Sequence, residues 1–576
     1  MKNKSILILC MLLIFSLTIV AGCGTQEKAA APQQPQEQKR DVVASQGVVA
    51  AAHPLAAKAG LEVLQKGGNA IDAAIATSFA LGVVEPNASG LGGGGFATVY
   101  IAKEKKSYVV DYRETAPLAA KLSSYKLDEK GKPVDDAMGL VTGYQSVAVP
   151  GQLRGMEMLH QKFGSMKWNE LMEPAIKQSE AGLTVSQNFS GILADELGRI
   201  SKDSPSYPWL KQIFYKDGLP ANPGDVIKNT ELTESLKKIA QGGADVFYKG
   251  EIADLIVKEY AEKGKGWITK EDLQNYKAIM REPVQGNYRG YTVMTVPPPS
   301  SGGVALLEIL NIIEGYDIAK MGAGSADAMH VITEAQKLAF ADRAKYMADP
   351  EFSKIPLIGL MDKKYAEERR KLIDLKQANT QIKAGEPGKY ESGSTTSFSV
   401  VDKEGNMVTI TQTINHFMGS AVAPAGTGII LNDEMDDFTI DAKSVNAPEP
   451  GKRPLSSMAP TVVLKDGVPF ATLGTPGATR IITTISNLIV DLIDFKMDLQ
   501  PAILYPRFHN NNVAATSIES RIPQDVVKAL EARGHKFDVK KDMDLFFGGA
   551  QGVMLAPDGK LHGGADPRRD GLAVGY

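Results

Sequence analysis

From about Val42 onward the chain alternates two hydrophobic rhythms. HPLAAKAGLEVLQKGGNAIDAAIATSFALGVV carries its apolar residues at the three-and-four spacing of a helix face, whereas FATVYIA and SYVVDY are short, β-branched and aromatic runs that predict strands. The two patterns interleave along the chain, so the class is mixed α/β. There is no internal repeat and no second long apolar span. Around residues 363–394 the pattern decays: KKYAEERRKLIDLKQ predicts a charged helix, and ANTQIKAGEPGKYESGS, rich in glycine and charge, predicts an exposed and cleavable loop. Directly after it TSFSVVD and MVTITQTIN alternate as strands, joined by KEGN, where Gly405 and Asn406 suit a hairpin turn. Two threonines, Thr395 and Thr396, stand at the abrupt start of the first strand. Further on, PFATLGTPGATRIITTISNLIVDLIDF reads as a strand, a turn at Pro476-Gly477 and a long helix.

At 576 residues the chain has ample length for a large core. Its 64 basic and 67 acidic residues leave a net charge of −3, without the basic excess that would neutralise nucleic-acid phosphates. The N-terminus changes the picture more. Lys2 and Lys4 precede the apolar run SILILCMLLIFSLTIV, and Ala21-Gly22-Cys23 follows, which reads as an export signal over residues 1–22. Small residues before Cys23 resemble the lipobox of bacterial lipoproteins, so Cys23 is the expected lipid-modified residue and residues 23–41 a solvated tether. The protein is thus expected on the extracytoplasmic face of the membrane, lipid-anchored. Cys10 and Cys23 are the only cysteines, which removes cysteine catalysis and cysteine-held metal from the mature chain.

Familiar catalytic signatures are missing. Gly90 to Gly95 match GxGxxG literally, but a helix precedes them and a strand follows, the reverse of a dinucleotide-binding turn; they read as tight backbone packing. There is no HExxH, GxxxxGK[ST] or GxSxG. What remains is a set of individually weak candidates. Free N–H groups at the start of the helix after Gly477 suit an oxyanion or carboxylate, or belong to an ordinary turn. Ser456 and Ser457 lie in a polar turn of KRPLSSMAP. Arg113 in VVDYRETAP, and Glu434, Asp436 and Asp437 in ILNDEMDDF, end apolar runs where a site rim or a plain ion pair would be built. Threonine is a poor nucleophile without a base beside it, and no Asp, Glu or His flanks Thr395 in sequence.

Taken together and in order, AAHPLAAKAGLEVLQKGGNAIDAAIA, ASGLGGGGF, VVDYRETAP, VPGQLRGM, GYTVMTVPPPSSGG, TTSFSVVDKEGN, TQTIN, GIILNDEMDDF, KRPLSSMAPT, GTPGATRI and GGADPRRDG resemble the γ-glutamyltranspeptidase family. The resemblance runs from about Val42 to the C-terminus. It implies an N-terminal nucleophile hydrolase with a four-layer αββα sandwich and no metal or other cofactor. The precursor would cut itself before Thr395, leaving a large chain of residues 42–394 paired with a small chain of residues 395–576. The new α-amine of Thr395 would then be the missing base. By the same resemblance Thr395 attacks a γ-glutamyl amide such as glutathione, and water or an amino acid or peptide resolves the acyl-enzyme. Gly477 and Ala478 would hold the oxyanion and Thr413 would tune the nucleophile. Arg113, Ser456 and Ser457 would bind the glutamyl α-carboxylate, and Asn415, Glu434 and Asp437 its α-ammonium.

Three departures from the family pattern stand out. Ser397 replaces a histidine that many members carry, Ala478 replaces a second glycine and would be strained at positive φ, and TIDAKSVNAPEPG is shorter than in members with a lid loop. The short segment, with the wording FFGGAQ and GADPRRDG, motivates an alternative reading as a surface poly-γ-glutamate depolymerase or transpeptidase. An alternative of another class is an unprocessed lipoprotein that only binds γ-glutamyl compounds.

Overall fold

The hairpin expected around KEGN forms the centre of the molecule in a computed structural model that describes residues 39–125, 141–263, 266–382 and 394–576. The signal, Cys23, most of the tether and residues 383–393 of the expected cleavable loop lie outside the described residues. Strands β1 (Val42–Ala44), β2 (Gly47–Ala51), β3 (Gly94–Ile101), β4 (Lys106–Asp111), β5 (Ile279–Arg281), β6 (Val284–Tyr288) and β7 (Tyr291–Thr295) come from the first part of the chain. From the second come β8 (Ser394–Asp402), β9 (Met407–Asn415), β10 (Thr461–Lys465), β11 (Val468–Gly474), β12 (Gln551–Leu555), β13 (Leu561–Ala565) and β14 (Leu572–Gly575). They make two seven-stranded sheets, ordered β14-β2-β8-β9-β3-β4-β5 and β1-β13-β12-β11-β10-β7-β6. Every neighbouring pair is antiparallel.

Strand alternation explains the layering. On β8, Val401 points between the sheets and packs with Val48, Tyr100, Met407, Val462 and Val553. Phe398 and Val400 point the other way, with Val99 and Ile410, onto helices α1 (Pro54–Gln65), α2 (Ala70–Val84), α3 (Gln152–Phe163) and α4 (Trp168–Ala181). The far sheet buries Val293, Val463 and Leu473 against α5 (Gly302–Ile313), α6 (Ala326–Tyr346) and α7 (Arg480–Ile493). This is the expected αββα sandwich. Each such Val, Leu or Phe contributes about 1.5–3 kcal/mol on leaving water.

Local chemistry sets the element ends. The single apolar run from His53 to Val84 divides into α1 and α2 because Gly67 takes φ +94° and Asn69 opens α2 with a capping box to Asp72. In the hairpin Gly405 takes φ +82°, and Asp402 accepts the backbone N–H of Asn406 at 3.0 Å. Two boundaries differ from the sequence reading. The charged helix stops at Arg370 rather than continuing to Gln377, and β8 begins at Ser394, one residue before the threonine pair.

Candidate active site

The site is built on an irregularity in the central hairpin. Thr395 of β8 pairs with Thr413 of β9, but Ser394 pairs with Asn415, so Ile414 is extruded. Its backbone bonds elsewhere: Ile414 N–H donates to Ala88 O at 3.3 Å, and its carbonyl accepts Asp433 N–H at 3.2 Å. Asn415 is thereby turned to φ +71°, and its N–H donates to Thr413 Oγ1 at 2.8 Å. The glycine run makes the approach of β3 possible. A Cβ on Gly93 would stand 1.9 Å from Thr413 O, and one on Gly94 2.6 Å from the Glu114 carboxyl. The packing role expected for these glycines is what the fold uses.

Nine of the ten residues expected at the site line one cavity of about 290 Å³: Arg113, Thr395, Thr413, Asn415, Glu434, Asp437, Ser456, Ser457 and Ala478. Gly477 is the tenth; it precedes Ala478 in the turn that enters α7, outside the lining. Gly477 has φ +126° and Ala478 φ +50°, so the alanine does adopt the left-handed backbone expected to strain it. Ser397 is turned away from the cavity, donating to Ile410 O at 2.8 Å and facing Gly474 of the other sheet. Asp436 lies outside the lining and borders His416.

Electrostatics centre on Arg113, which is 1 % exposed. Its Nη1 lies 2.6 Å from Glu434 and 3.6 Å from Glu114, and its Nη2 pairs with Asp437 and donates to Leu455 O at 3.0 Å. Burial disfavours the guanidinium charge, but the three carboxyl groups outweigh it and push its pKa up. Burial also pushes Glu114 up to about 8 and Glu434 well above the carboxylate range, with Arg113 opposing in both cases. Arg113 is thus set against buried carboxyl groups that desolvation holds back from full ionisation.

Support comes from residues that sequence reasoning did not single out. Ser457 Oγ accepts from Arg343 Nη2 at 3.0 Å, while Arg343 Nε donates to Ser301 Oγ at 2.7 Å. Ser301 Oγ in turn donates to Ser456 O at 2.6 Å, so α6 and the start of α5 hold the serine turn. Asn446 Nδ2 donates to Asp437 O at 2.7 Å, and its Oδ1 accepts Leu455 N–H at 3.1 Å. Thr396 donates to Glu85 at 2.5 Å, and Arg569 pairs with Glu85 at 2.6 Å beneath the strand. His416 Nδ1 lies 2.7 Å from Asp433. Burial works against charge on that ring, yet Asp433, then Asp436 and Asp437, push its pKa up to about 9. Ser301, Asp433 and Arg569 lie inside the motifs that carry the resemblance, as does Glu114 beside Arg113, whereas Arg343, Asn446, Glu85 and His416 stand outside them.

Among the described residues, one cluster away from this cavity has metal-ligating side chains, His330, Glu334 and His535. Its atoms are already engaged: His330 bonds Asp374 O and His535 Nε2, each at 2.8 Å, and Glu334 holds Lys337 at 2.6 Å. A metal would have to displace these bonds, so the cluster reads as a satisfied polar core.

Comparison with known proteins bears on this site. The family model for gamma-glutamyltranspeptidase matches residues 56–576. The glutathione hydrolase proenzyme of Escherichia coli (strain K12) is 40 % identical over 570 residues, covering 95 % of this chain and 96 % of that one. The acylase ACY 1 proenzyme of Pseudomonas sp. (strain SE83) is 41 % identical over 541 residues, covering 93 % and 95 %. Among solved structures, cephalosporin acylase from Bacillus halodurans superposes with a TM-score of 0.85 at 32 % identity, covering 95 % of this chain and 99 % of that one.

Proposed function

This chain belongs to the gamma-glutamyltranspeptidase family, and we propose that Thr395 is the residue at which it cuts itself and with which it then attacks its substrate. The protein is a γ-glutamyltransferase and glutathione hydrolase made as a self-processing proenzyme, with glutathione-type donors and amino-acid acceptors. One observation carries the assignment of roles: residues spread from position 113 to position 478 converge on the cavity that Thr395 lines.

In the uncut chain the Thr395 nitrogen is an amide. Attack of Oγ on the Ser394 carbonyl carbon moves the acyl group from nitrogen to oxygen, and water hydrolyses the resulting ester. Ser394 is left with a carboxylate and Thr395 with a free α-amine of pKa about 7.7–8.0. That amine accepts the hydroxyl proton as Oγ adds to the γ-carbonyl carbon of the donor, and delivers it to the leaving amine as the C–N bond breaks. The N–H groups of Gly477 and Ala478 stabilise the oxyanion. Water or an acceptor amine then adds to the ester and releases Oγ. Arg113 pairs with the α-carboxylate, which a planar guanidinium can hold through both oxygens, and Ser456 and Ser457 add hydrogen bonds. Asn415, Glu434 and Asp437 receive the α-ammonium, which favours the ionised form that burial otherwise denies Glu434. The assay is release of chromogenic amine from a γ-glutamyl anilide, stimulated by an acceptor dipeptide. Absence of turnover by correctly processed protein would reject the roles given to these residues.

A second reading concerns substrate length. Among the described residues, none from Phe438 to Arg453 lines the cavity, so the short segment after Asp437 forms no part of its wall. Poly-γ-glutamate is the extended substrate this favours. Polymer that keeps its length under prolonged incubation would reject it. Anchoring at Cys23 on the outer face of the membrane is supported by the sequence of residues 2–23. Incorporation of labelled fatty acid that Cys23→Ala abolishes is the test, and unlabelled protein that stays in solution would refute it.

A further inference from the structure

A larger empty space than the active site lies between α6 and α7, with an empty volume of about 670 Å³. We propose that it is a second binding site, specific for a small primary amine with an apolar body about the size of a phenyl ring. Its walls are largely apolar, supplied by Met329 and Ile332 of α6, Leu488 of α7, Phe495 and Ile522. Such a lining with one or two convergent polar groups is the usual make-up of a small-molecule site.

The polar group that decides the ligand is Asp491. It lines the space, is 8 % exposed, and its carboxyl makes no hydrogen bond or ion pair within the described residues. Asp491 also sits in the last turn of α7, where the helix dipole is negative and an acidic side chain is unfavourable. An unpaired carboxyl, desolvated and at the wrong end of a helix, carries two costs that a bound cation would relieve together. The nearby cation does not relieve them by contact. Arg507 is committed to Asp566 at 2.5 Å, to Phe547 O at 2.9 Å and to Ile503 O at 3.2 Å. Burial accordingly pushes the Asp491 acid up to about 8, with Arg507 opposing only at a distance. Thr484, Asn487 and Tyr505 also line the space and offer neutral hydrogen-bonding groups, but the carboxyl is the charged group without a contact partner and would repel an anion. A primary ammonium supplies the missing charge and three donors, and its apolar remainder fills the space beside Met329 and Leu488.

The site is separate from the γ-glutamyl chemistry, although one helix touches both. Ile481, in the first turn of α7, lines the active-site cavity, whereas Leu488 and Asp491 near its end line this one. Titration calorimetry of the processed protein tests the proposal with 2-phenylethylamine as probe and 2-phenylethanol as its uncharged counterpart. One molecule of amine is expected to bind per large–small pair, at least ten-fold more tightly than the alcohol. Asp491→Asn is expected to remove that preference and Leu488→Trp, which fills the space, to abolish binding. Ser457→Ala at the γ-glutamyl site is expected to leave the amine affinity unchanged. Equal binding of amine and alcohol, no saturable heat, or an affinity that follows Ser457→Ala instead of Asp491→Asn would each overturn it. The amine–alcohol comparison needs no variant, so a poorly folding substitution leaves the test intact.

Discussion

His416 is expected to fasten the extruded segment of β9 through a charge that disappears at alkaline pH. Its backbone N–H donates to Asp433 Oδ1 at 3.0 Å and its ring Nδ1 lies 2.7 Å from Oδ2. The Asp433 carbonyl accepts Asn415 Nδ2 at 3.2 Å, so the ion pair and Asn415, proposed above to receive the α-ammonium, share one anchor. The folded pKa of about 9 stands above the ordinary 6.5. The sign follows from that direction: the contribution is fully present below pH 6.5 and is lost as the pH rises through 9. At 1.36 kcal/mol per pKa unit its ceiling is about 3 kcal/mol, little reduced by screening because the ring is 16 % exposed. With about 2.1 cal/mol/K of unfolding entropy per residue over roughly 540 residues, that corresponds to about 3 °C in Tm. Scanning calorimetry of wild type and His416→Gln between pH 6 and pH 10 is the assay. The variant is expected to melt about 3 °C lower at pH 6 and level with wild type at pH 10. A gap of equal size at both ends of the range would refute the ion-pair argument.

Two further substitutions probe the cavity itself. Arg113→Lys keeps the charge but gives up the two-pronged guanidinium; losing one charge-assisted hydrogen bond of about 1.5–3 kcal/mol predicts a fall of about 10- to 150-fold in kcat/KM, carried mainly by KM, with self-cleavage retained. Steady-state kinetics on a γ-glutamyl anilide checks this, and an unchanged KM would contradict it. At Ala478, with φ +50°, glycine is expected to keep kcat within about threefold, because relief of about 1 kcal/mol of strain is offset by its greater freedom when unfolded. Valine, β-branched in a left-handed conformation, is expected to lower kcat about ten-fold or more by displacing the N–H proposed to hold the oxyanion. Equal rates for glycine and valine would show that the turn does not position that donor.

The parts of the molecule legible in the sequence were those decided by near neighbours. Gly405 and the two-residue alternation around it define the β8–β9 hairpin within a few positions, whereas the division of the His53–Val84 run at Gly67 and Asn69 was not read from its apolar spacing. The site was legible only where motifs could be read together, since Arg113, Asp437 and Ser456 have no local feature that separates a ligand-binding group from a plain ion pair or turn. What escaped is long-range. The extrusion of Ile414 is set by Ala88 and Asp433, the support of Ser457 by Arg343 more than a hundred residues away, and the partner of Thr396 is Glu85. His416 follows the motif TQTIN directly, yet its charge depends on a buried aspartate seventeen positions later. Nothing in the apolar rhythm of α7 announces that Asp491 faces an empty space, because a single acid near a helix end is ordinarily solvated.

In the mechanism proposed above, the chain becomes an enzyme only by exposing the amine of Thr395. Intact-mass measurement of the purified protein, with N-terminal sequencing of the smaller fragment, tests it directly. Two fragments are expected, the smaller beginning Thr395-Thr396-Ser397, and Thr395→Ala is expected to remain one uncut chain. A single uncut chain that still releases amine from a γ-glutamyl anilide, or a cut at any other residue, would rule out activation at Thr395.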